Sequence, residues 1–186
     1  MRVAPVVLSV WMLMLAGDTS AFHRHAALHN SQLRTYALET QAPSEDWRAF
    51  SGTWSASGRR QTLRTEGNRP AAIIQLSGAV VLASPAGLSS AFRAEAIGFD
   101  DGTQTAVGRA VWTDSRGDLV FSVLKGEPLA TGRRITGTIT GGTGRYANIA
   151  GDWELTWQFV VETEDGEVQG RAADLKGRAR GFEARR

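Results

Sequence analysis

Short runs of alternating apolar and polar residues occupy most of the chain after residue 52. The alternation is clearest near the C-terminus, where Trp153, Leu155, Trp157, Phe159 and Val161 occupy every second position. A period of two is typical of a β-strand with one buried face. Turn sequences such as Asp-Asp-Gly, Ser-Arg-Gly and Glu-Asp-Gly separate the runs and indicate consecutive hairpins. We count eight predicted strands, at residues 52–65, 70–83, 91–99, 104–114, 117–125, 132–140, 151–164 and 166–180.

The same alternation predicts the faces of individual strands. In the fifth run Leu119, Phe121 and Val123 share one face, opposite Asp118 and Ser122. In the sixth run the apolar face consists of Ile135, Gly137 and Ile139, and it alternates with a polar face. The second run, from Ala72 to Leu82, is partly apolar on both faces, so we predict that both of its faces are covered.

Eight antiparallel strands without covering helices leave two unpaired edges unless the sheet closes on itself. An eight-stranded barrel has an interior that side chains can fill or that holds one small ligand. We therefore predict an all-β fold, an eight-stranded antiparallel closed barrel, with an open sandwich as the alternative.

The N-terminal segment has the pattern of a signal peptide. Arg2 precedes an almost wholly apolar run that ends near Ala16, and small residues follow up to Ala21. We predict a signal peptide at residues 1–21, a linker at 22–51 with a short helical piece around 31–38, and a barrel domain at 52–182. The mature protein would be exported, periplasmic or secreted, and would not stay inserted in a membrane. An uncleaved anchor is the alternative.

The composition excludes several chemistries. The 186 residues include no cysteine, which excludes disulfides, zinc–thiolate sites and thiol nucleophiles. The net charge is only +2, and much of the basic excess lies in the last eleven residues, which we interpret as a solvated terminus. We expect no nucleic-acid partner.

All three histidines, His23, His25 and His29, lie in the predicted linker. Imidazoles at this spacing could bind a transition metal, but no carboxylate lies at a helpful fixed spacing. Since the predicted barrel contains neither histidine nor cysteine, a Ser-His-Asp or Cys-His catalytic unit inside it is excluded. We predict no metal and no cofactor, and we assign no catalytic residue.

The most distinctive segment is Ile139-Thr140-Gly141-Gly142-Thr143-Gly144-Arg145-Tyr146-Ala147-Asn148-Ile149-Ala150-Gly151. A strand follows it, which argues against a phosphate loop, since such loops precede helices. Its Gly-Gly-Thr-Gly, aromatic and later Gly closely resemble the signature of the allene oxide cyclase-like and dirigent-like barrels. The resemblance implies an eight-stranded barrel, a cyclase or isomerase as one possible activity, and a homo-oligomer. Tyr146 would then cap or plug one barrel end.

A second motif, Gly52-Thr53-Trp54, opens the first predicted strand. It resembles the Gly-x-Trp of lipocalins, in which the tryptophan closes the barrel floor. The fold is thus expected to be calycin-like or allene oxide cyclase-like, with a lipocalin-like carrier as one alternative function.

Charged residues on the predicted strands admit two interpretations each. A carboxyl group in an apolar lumen would have a raised pKa and could act as an acid or base, whereas an outward-facing one is only solvated. The candidates are Glu95, Asp118, Glu154 and Asp174. Arg109 points to solvent if the face with Ala106, Gly108, Ala110 and Trp112 is inward, and becomes a lumen cation if the faces are reversed.

Tryptophans form the main aromatic content of the predicted barrel, and they suit either core packing or a planar apolar ligand. Small residues on the fourth strand lead us to expect a partly open lumen near Trp112 and Trp157. Candidate ligand-binding residues are Trp54, Trp112, Trp153, Trp157, Tyr146, Glu95 and Arg109. We expect binding of a small apolar or aromatic molecule, or an interaction module without catalysis; a cyclase or isomerase that shapes its substrate in the lumen is the alternative.

Overall fold

Residues 46–103 and 105–183 are described by a computed structural model of the chain, and all of them belong to one compact unit, Gln41–Arg186. The predictions for the signal peptide, the helical piece and the three histidines lie outside the described residues. The strands are β1 (Arg48–Arg64), β2 (Pro70–Ser84), β3 (Ala91–Asp100), β4 (Ala106–Thr113), β5 (Leu119–Pro128), β6 (Arg133–Gly142), β7 (Ala150–Glu162) and β8 (Glu167–Arg180). Two short 3-10 helices span Glu66–Asn68 and Gly144–Tyr146.

The eight strands form a closed antiparallel barrel in which each strand pairs with its neighbours in the chain and β1 pairs with β8. The predicted barrel is confirmed, and the open sandwich is wrong. β1 begins at Arg48, before the predicted start at Gly52, because the segment from Arg48 to Gly52 pairs with Ala179 to Leu175 of β8. This early pairing also buries Phe50.

One face of each strand points into the barrel. On β5 it is the face with Val120, Ser122 and Leu124, and the apolar face predicted from Leu119, Phe121 and Val123 is the outer one. On β7 the inward side chains are Trp153, Leu155 and Trp157, with Phe159 half-buried after them. Val161 does not follow, and its side chain is exposed. The register with β8 shifts between Phe159 and Val161, and such a bulge turns the next residue to the opposite face.

Two other face predictions meet different outcomes. On β6 Gly137 and Ile139 are buried, which confirms the predicted inward face. The prediction that β2 is covered on both faces is wrong, because Ile73 and Val81 are exposed while Leu76, Val80 and Leu82 are buried. A β-branched outward residue suits a pleated strand even where nothing packs on it, so it gave a misleading signal of burial.

Glycines inside the barrel make room for tryptophans. A Cβ on Gly137 would collide with the Trp153 indole, and a Cβ on Gly170 would collide with the Trp157 indole. Each of these two rings therefore occupies the space beside a glycine of a neighbouring strand. This pairing of glycine with tryptophan lets a narrow barrel hold Trp54, Trp112, Trp153 and Trp157, all of which are buried.

Within the described residues, no helix has the length and apolar character needed to cross a membrane.

Candidate ligand-binding site

The two ends of the barrel differ in their filling. We call the end that carries the β2–β3, β4–β5 and β6–β7 connections the closed end, and the opposite end the open end. At the closed end the residues of the Gly144–Tyr146 helix cover the lumen. At the open end the turns lead into a cavity between the strands.

Tyr146 is fully buried at the closed end, where its ring packs against Phe92 and Phe182 with ring centroids 5.9 and 6.4 Å apart. Its hydroxyl accepts a hydrogen bond from the Ser89 amide at 3.2 Å and donates one to Asp114 Oδ2 at 3.4 Å. The side chain thus occupies the plugging position that the sequence predicts for it, and it ties three connections together.

Asp114 and Arg145 complete the closed end. The Asp114 carboxylate accepts hydrogen bonds from the amides of Arg116 and Asp118 at 2.8 and 3.1 Å. Arg145 Nε lies 3.8 Å from Asp114 Oδ2, and Arg145 Nη2 donates to the Gly87 carbonyl at 3.2 Å. Arg145 Nε has no hydrogen-bond partner, but it is buried and inaccessible, so these groups form a structural seal at the closed end.

Replacing Tyr146 by phenylalanine should remove the pH dependence that the hydroxyl brings. Burial raises the pKa of Tyr146, although the hydrogen bond from Ser89 and the charge of Arg145 oppose the shift. The folded protein therefore holds this proton more tightly than the unfolded chain does, and the contribution to stability is present below about pH 10 and lost as the pH rises above it.

Urea unfolding of the parent and of Tyr146→Phe from pH 7 to 11 checks this expectation. At pH 7 the variant should be less stable by about 1–3 kcal/mol, because the Ser89 amide loses its acceptor. The difference between the two proteins should shrink at the alkaline end. A constant difference across the whole range would contradict a role for the phenol proton.

An aromatic row runs through the lumen from the closed end. Ring centroids are 5.6 Å apart for Phe92 and Trp112, 5.3 Å for Trp112 and Trp153, and 4.9 Å for Trp54 and Trp157. Trp153 Nε1 donates to the buried Ser122 hydroxyl at 3.1 Å, which satisfies both groups. The middle of the barrel is therefore filled, and the predicted open space does not reach Trp112.

A cavity of about 90 Å³ lies at the open end. Trp54 and Trp157 border it, and small residues on β3 and β4 leave the space. Among the lining residues are Trp54, Ile74, Leu76, Ala96, Gly98, Ala106, Gly108, Leu124, Ile135, Trp157 and Phe159. The wall is almost wholly apolar, so the cavity suits an apolar or aromatic group.

Charged residues stand among the lining residues as well. They are Asp100, Lys125 and Arg133, of which the first and last form an ion pair through Arg133 Nη2 and Asp100 Oδ2. Asp100 Oδ1 also accepts a hydrogen bond from the Gly102 amide at 3.0 Å, which fixes the carboxylate in the β3–β4 turn. The ion pair therefore places two charged groups next to the apolar wall of the cavity.

Three buried donors on residues that line the cavity have no hydrogen-bond partner: Trp54 Nε1, Trp157 Nε1 and Arg133 Nη1. An unpaired buried donor costs about 1–3 kcal/mol, so native proteins rarely keep several in one place. All three atoms are inaccessible to a molecule in the cavity, so they belong to the packing around it and do not form part of its surface.

The structure brings only some of the sequence-predicted site residues together. Trp54 and Trp157 line the cavity, whereas Trp112 and Trp153 belong to the filled middle and Tyr146 to the closed end. Glu95 and Arg109 are exposed on the outer face of β3 and β4. The small-residue face with Ala110 and Trp112 is the inward one, so Arg109 points to solvent and cannot reach a ligand in the lumen.

The other candidate carboxylates also lie away from the cavity. Glu154 pairs with Lys176 on the outer face at 3.0 Å, and Asp118 accepts a hydrogen bond from the Arg145 amide at the closed end. Partial burial would raise the pKa of Asp174, but hydrogen bonds from Thr156 outweigh it, and the pKa is lowered. Asp174 is therefore an ordinary ionised surface carboxylate, which is a poor proton donor near neutral pH.

Sequence reasoning missed Asp100 and Arg133. The Asp-Asp-Gly pattern predicts only a turn at Asp100, and Arg133 is only one residue of the predicted strand at 132–140. An acidic residue at the end of β3 and a basic one at the start of β6 reach the same end of the barrel only once the sheet is closed. One signal could have indicated the pair. Both residues lie next to turns, and an antiparallel meander places these two turns at the same end of the barrel.

Within the described part of the chain, no group of three or more histidine, cysteine, aspartate or glutamate side chains is placed to hold a metal ion.

Comparison with known proteins gives one structural similarity. No protein-family model matches the chain, and no curated protein matches it. Among solved structures, the pterocarpan synthase dirigent protein GePTS1 is similar to it at a TM-score of 0.44 and 10% sequence identity, over 75% of this chain and 89% of that chain. Membership of the allene oxide cyclase-like and dirigent-like group stays a prediction.

Proposed function

We propose that the protein binds a small planar apolar molecule in the cavity at the open end, without carrying out chemistry on it. The observation that supports this most is the apolar cavity at the open end, which the side chains of Trp54 and Trp157 border. A fully packed barrel would have filled that space with side chains.

The size of the cavity limits what can enter it. An engineered cavity of about 150 Å³ holds a benzene molecule, so a space of about 90 Å³ takes part of a single ring. The cavity lies at an open barrel end, so the rest of the ligand would extend past the Asp100–Arg133 pair. A single aromatic ring with a short substituent fits this geometry better than a long-chain lipid does.

Replacing Gly98 by valine should block the cavity while leaving the barrel folded. Gly98 lines the cavity, and a Cβ added to it would meet Val107 O at 3.5 Å, an ordinary contact. Valine also suits a strand, so stability should stay within about 1 kcal/mol of the parent. Calorimetric titration with cinnamamide, an uncharged single-ring molecule, should give a dissociation constant at least about tenfold higher for the variant than for the parent.

Ser77→Val is the matched control. Ser77 is exposed on the outer face of β2, and its replacement adds the same side chain away from the cavity. Binding of the probe should be unchanged in this variant. Binding that survives Gly98→Val, or no binding of any single-ring aromatic probe to the parent, would contradict the proposed function.

The alternatives from the sequence stay open as predictions. A cyclase or isomerase would need the cavity to fold a flexible substrate, and product formation from a labelled candidate would reveal it. A lipocalin-like carrier would also bind a small molecule, so this alternative differs from the proposed function only in the family to which the chain would belong. Homo-oligomer formation stays a prediction, which sedimentation analysis would test.

We also propose export of the chain, on the pattern of residues 1–21 alone. N-terminal sequencing of the exported product should find a chain that begins at Phe22, whereas a chain that still begins at Met1 would contradict cleavage.

A further inference from the structure

The outer surface of the barrel is apolar on one side and polar on the other. On β2, β3 and β4 four outward apolar side chains are between 47% and 52% exposed: Ile73, Ile97, Phe99 and Val107. On the opposite side of the barrel, β1 and β6 present mainly serine and threonine, among them Thr53, Ser55, Thr136 and Thr138. Soluble monomers rarely expose a large contiguous apolar patch, so the apolar side has the character of an interaction surface.

The register of the strands makes the apolar residues contiguous. Phe99 lies opposite Ile73 of β2 and also opposite Val107 of β4. On β5, Phe121 continues the patch, because it lies opposite Val111 of β4 and both point outward. We call the outward surface of β2, β3, β4 and β5 the apolar face.

Two opposite charges lie near the middle of the apolar face. Glu95 on β3 lies opposite Val111, and Arg109 on β4 lies opposite Ile97, one outward position away. Both side chains are exposed. Within the described residues Arg109 forms no ion pair, and its Nη1 donates a hydrogen bond to the Gly108 carbonyl at 3.0 Å.

The other charges of the apolar face lie nearer its two ends. Lys125 lies opposite Val107 towards the open end, and Arg93 lies opposite Thr113 towards the closed end. Glu95 Oε2 is 3.8 Å from Arg93 Nη2, which leaves the second oxygen of this carboxylate for another cation. The centre of the face therefore carries one anion and one cation that are both accessible.

We propose that the apolar face binds a second copy of this chain in a two-fold symmetric dimer. A two-fold contact uses the same patch of both copies, so a pair formed by two different residues occurs twice. One central carboxylate and one central guanidinium meet this requirement, since Glu95 of each copy can pair with Arg109 of the other. Such complementary charges fix the register of two apolar surfaces that would otherwise slide past each other.

The size of the face is sufficient for a dimer. Four strands about 4.8 Å apart, with outward residues over eight steps of about 3.3 Å, describe a surface of roughly 500 Å² per copy. Two copies would then bury on the order of 1,000 Å², the lower limit for a specific interface. We therefore expect an association that depends on protein concentration.

Sedimentation velocity of the full chain from about 1 to 100 μM should show the 20.0 kDa monomer converting to a species of twice that mass. Ile73→Lys should raise the dissociation constant of the dimer at least about tenfold, because the contact would desolvate the new charge. Thr138→Arg adds a charge to the polar side of the barrel and should leave the dissociation constant unchanged.

Charge reversal tests the pairing itself. Glu95→Arg and Arg109→Glu should each raise the dissociation constant at least about tenfold, because each substitution places like charges opposite one another twice. The double variant should recover most of the affinity of the parent, since the pairs form again with their signs exchanged. Damage to the fold cannot produce such recovery.

A parent that stays monomeric throughout this range, or that forms a trimer, would overturn the inference. So would a dimer that tolerates both charge reversals, or one that the double variant does not restore. A monomer that cosediments with phosphatidylcholine vesicles would assign the apolar face to a membrane surface instead. Ile73, Glu95 and Arg109 do not line the cavity, so cinnamamide titration of these variants tests the proposed function separately.

Discussion

Replacing Trp153 by alanine should lower the free energy of unfolding by about 3–5 kcal/mol, the range for a large aromatic side chain removed from a packed core. Trp153 is 3% exposed and its ring packs against that of Trp112. The ring also lies so close to Gly137 that a Cβ at this position would collide with it. The substitution also leaves the Ser122 hydroxyl buried without its donor. Urea unfolding followed by circular dichroism measures the loss.

Trp157→Ala is the informative comparison, because Trp157 is equally buried but borders the cavity. Its removal should cost less than that of Trp153, since the neighbouring space already lacks contacts on one side. It should also abolish binding of the cinnamamide probe. Equal stability losses in the two variants, with no probe binding to the parent, would indicate a barrel that is packed throughout.

Gly142→Val should destabilise the barrel by at least about 3 kcal/mol, above the usual range for overpacking. A Cβ on Gly142 would collide with the Leu119 carbonyl and lie 2.8 Å from Tyr146 Cβ and Tyr146 O. These atoms belong to β5 and to the seal at the closed end, so the strand cannot move aside without opening the seal. Thermal unfolding of the variant measures the effect.

Gly144→Val should also destabilise, for a different reason. Gly144 has a φ of +52°, which valine rarely adopts, and a Cβ there would collide with the Asp118 carboxylate. Probe affinity in any folded fraction of either variant should equal that of the parent, because both glycines lie at the closed end and the cavity lies at the open end. A stable variant with selective loss of binding would show instead that this glycine-rich segment is a ligand loop.

The fold could be predicted from the sequence because its signals are local. Alternation along β7 and turn glycines such as Gly117 and Gly166 act within a few residues, and closure follows from the absence of covering helices. The bulge that turns Val161 outward could not be predicted, because it depends on the register with β8. The exposed face of β2 was missed for a related reason, since apolar residues do not reveal what packs on them.

The site was only partly predictable. The tryptophans could be found from residue type, but the sequence does not show which of them would border empty space. That depends on how Gly137 and Gly170 receive the rings from neighbouring strands. The Asp100–Arg133 pair joins residues on β3 and β6, strands that do not neighbour each other in the sheet, and no local pattern brings them together.

The pairing of β1 with β8 has a consequence for the route by which the chain folds. Arg48 pairs with Ala179, so the barrel cannot close until nearly the whole domain has been synthesised. Contacts of such long sequence separation slow folding. Until β8 arrives, β1 and β7 each present an unpaired backbone edge, a template for association with other chains. Pairing of β8 with β1 is therefore the step that closes the barrel. A truncation that removes β8 should yield aggregates, whereas a truncation before β1 should yield a folded barrel.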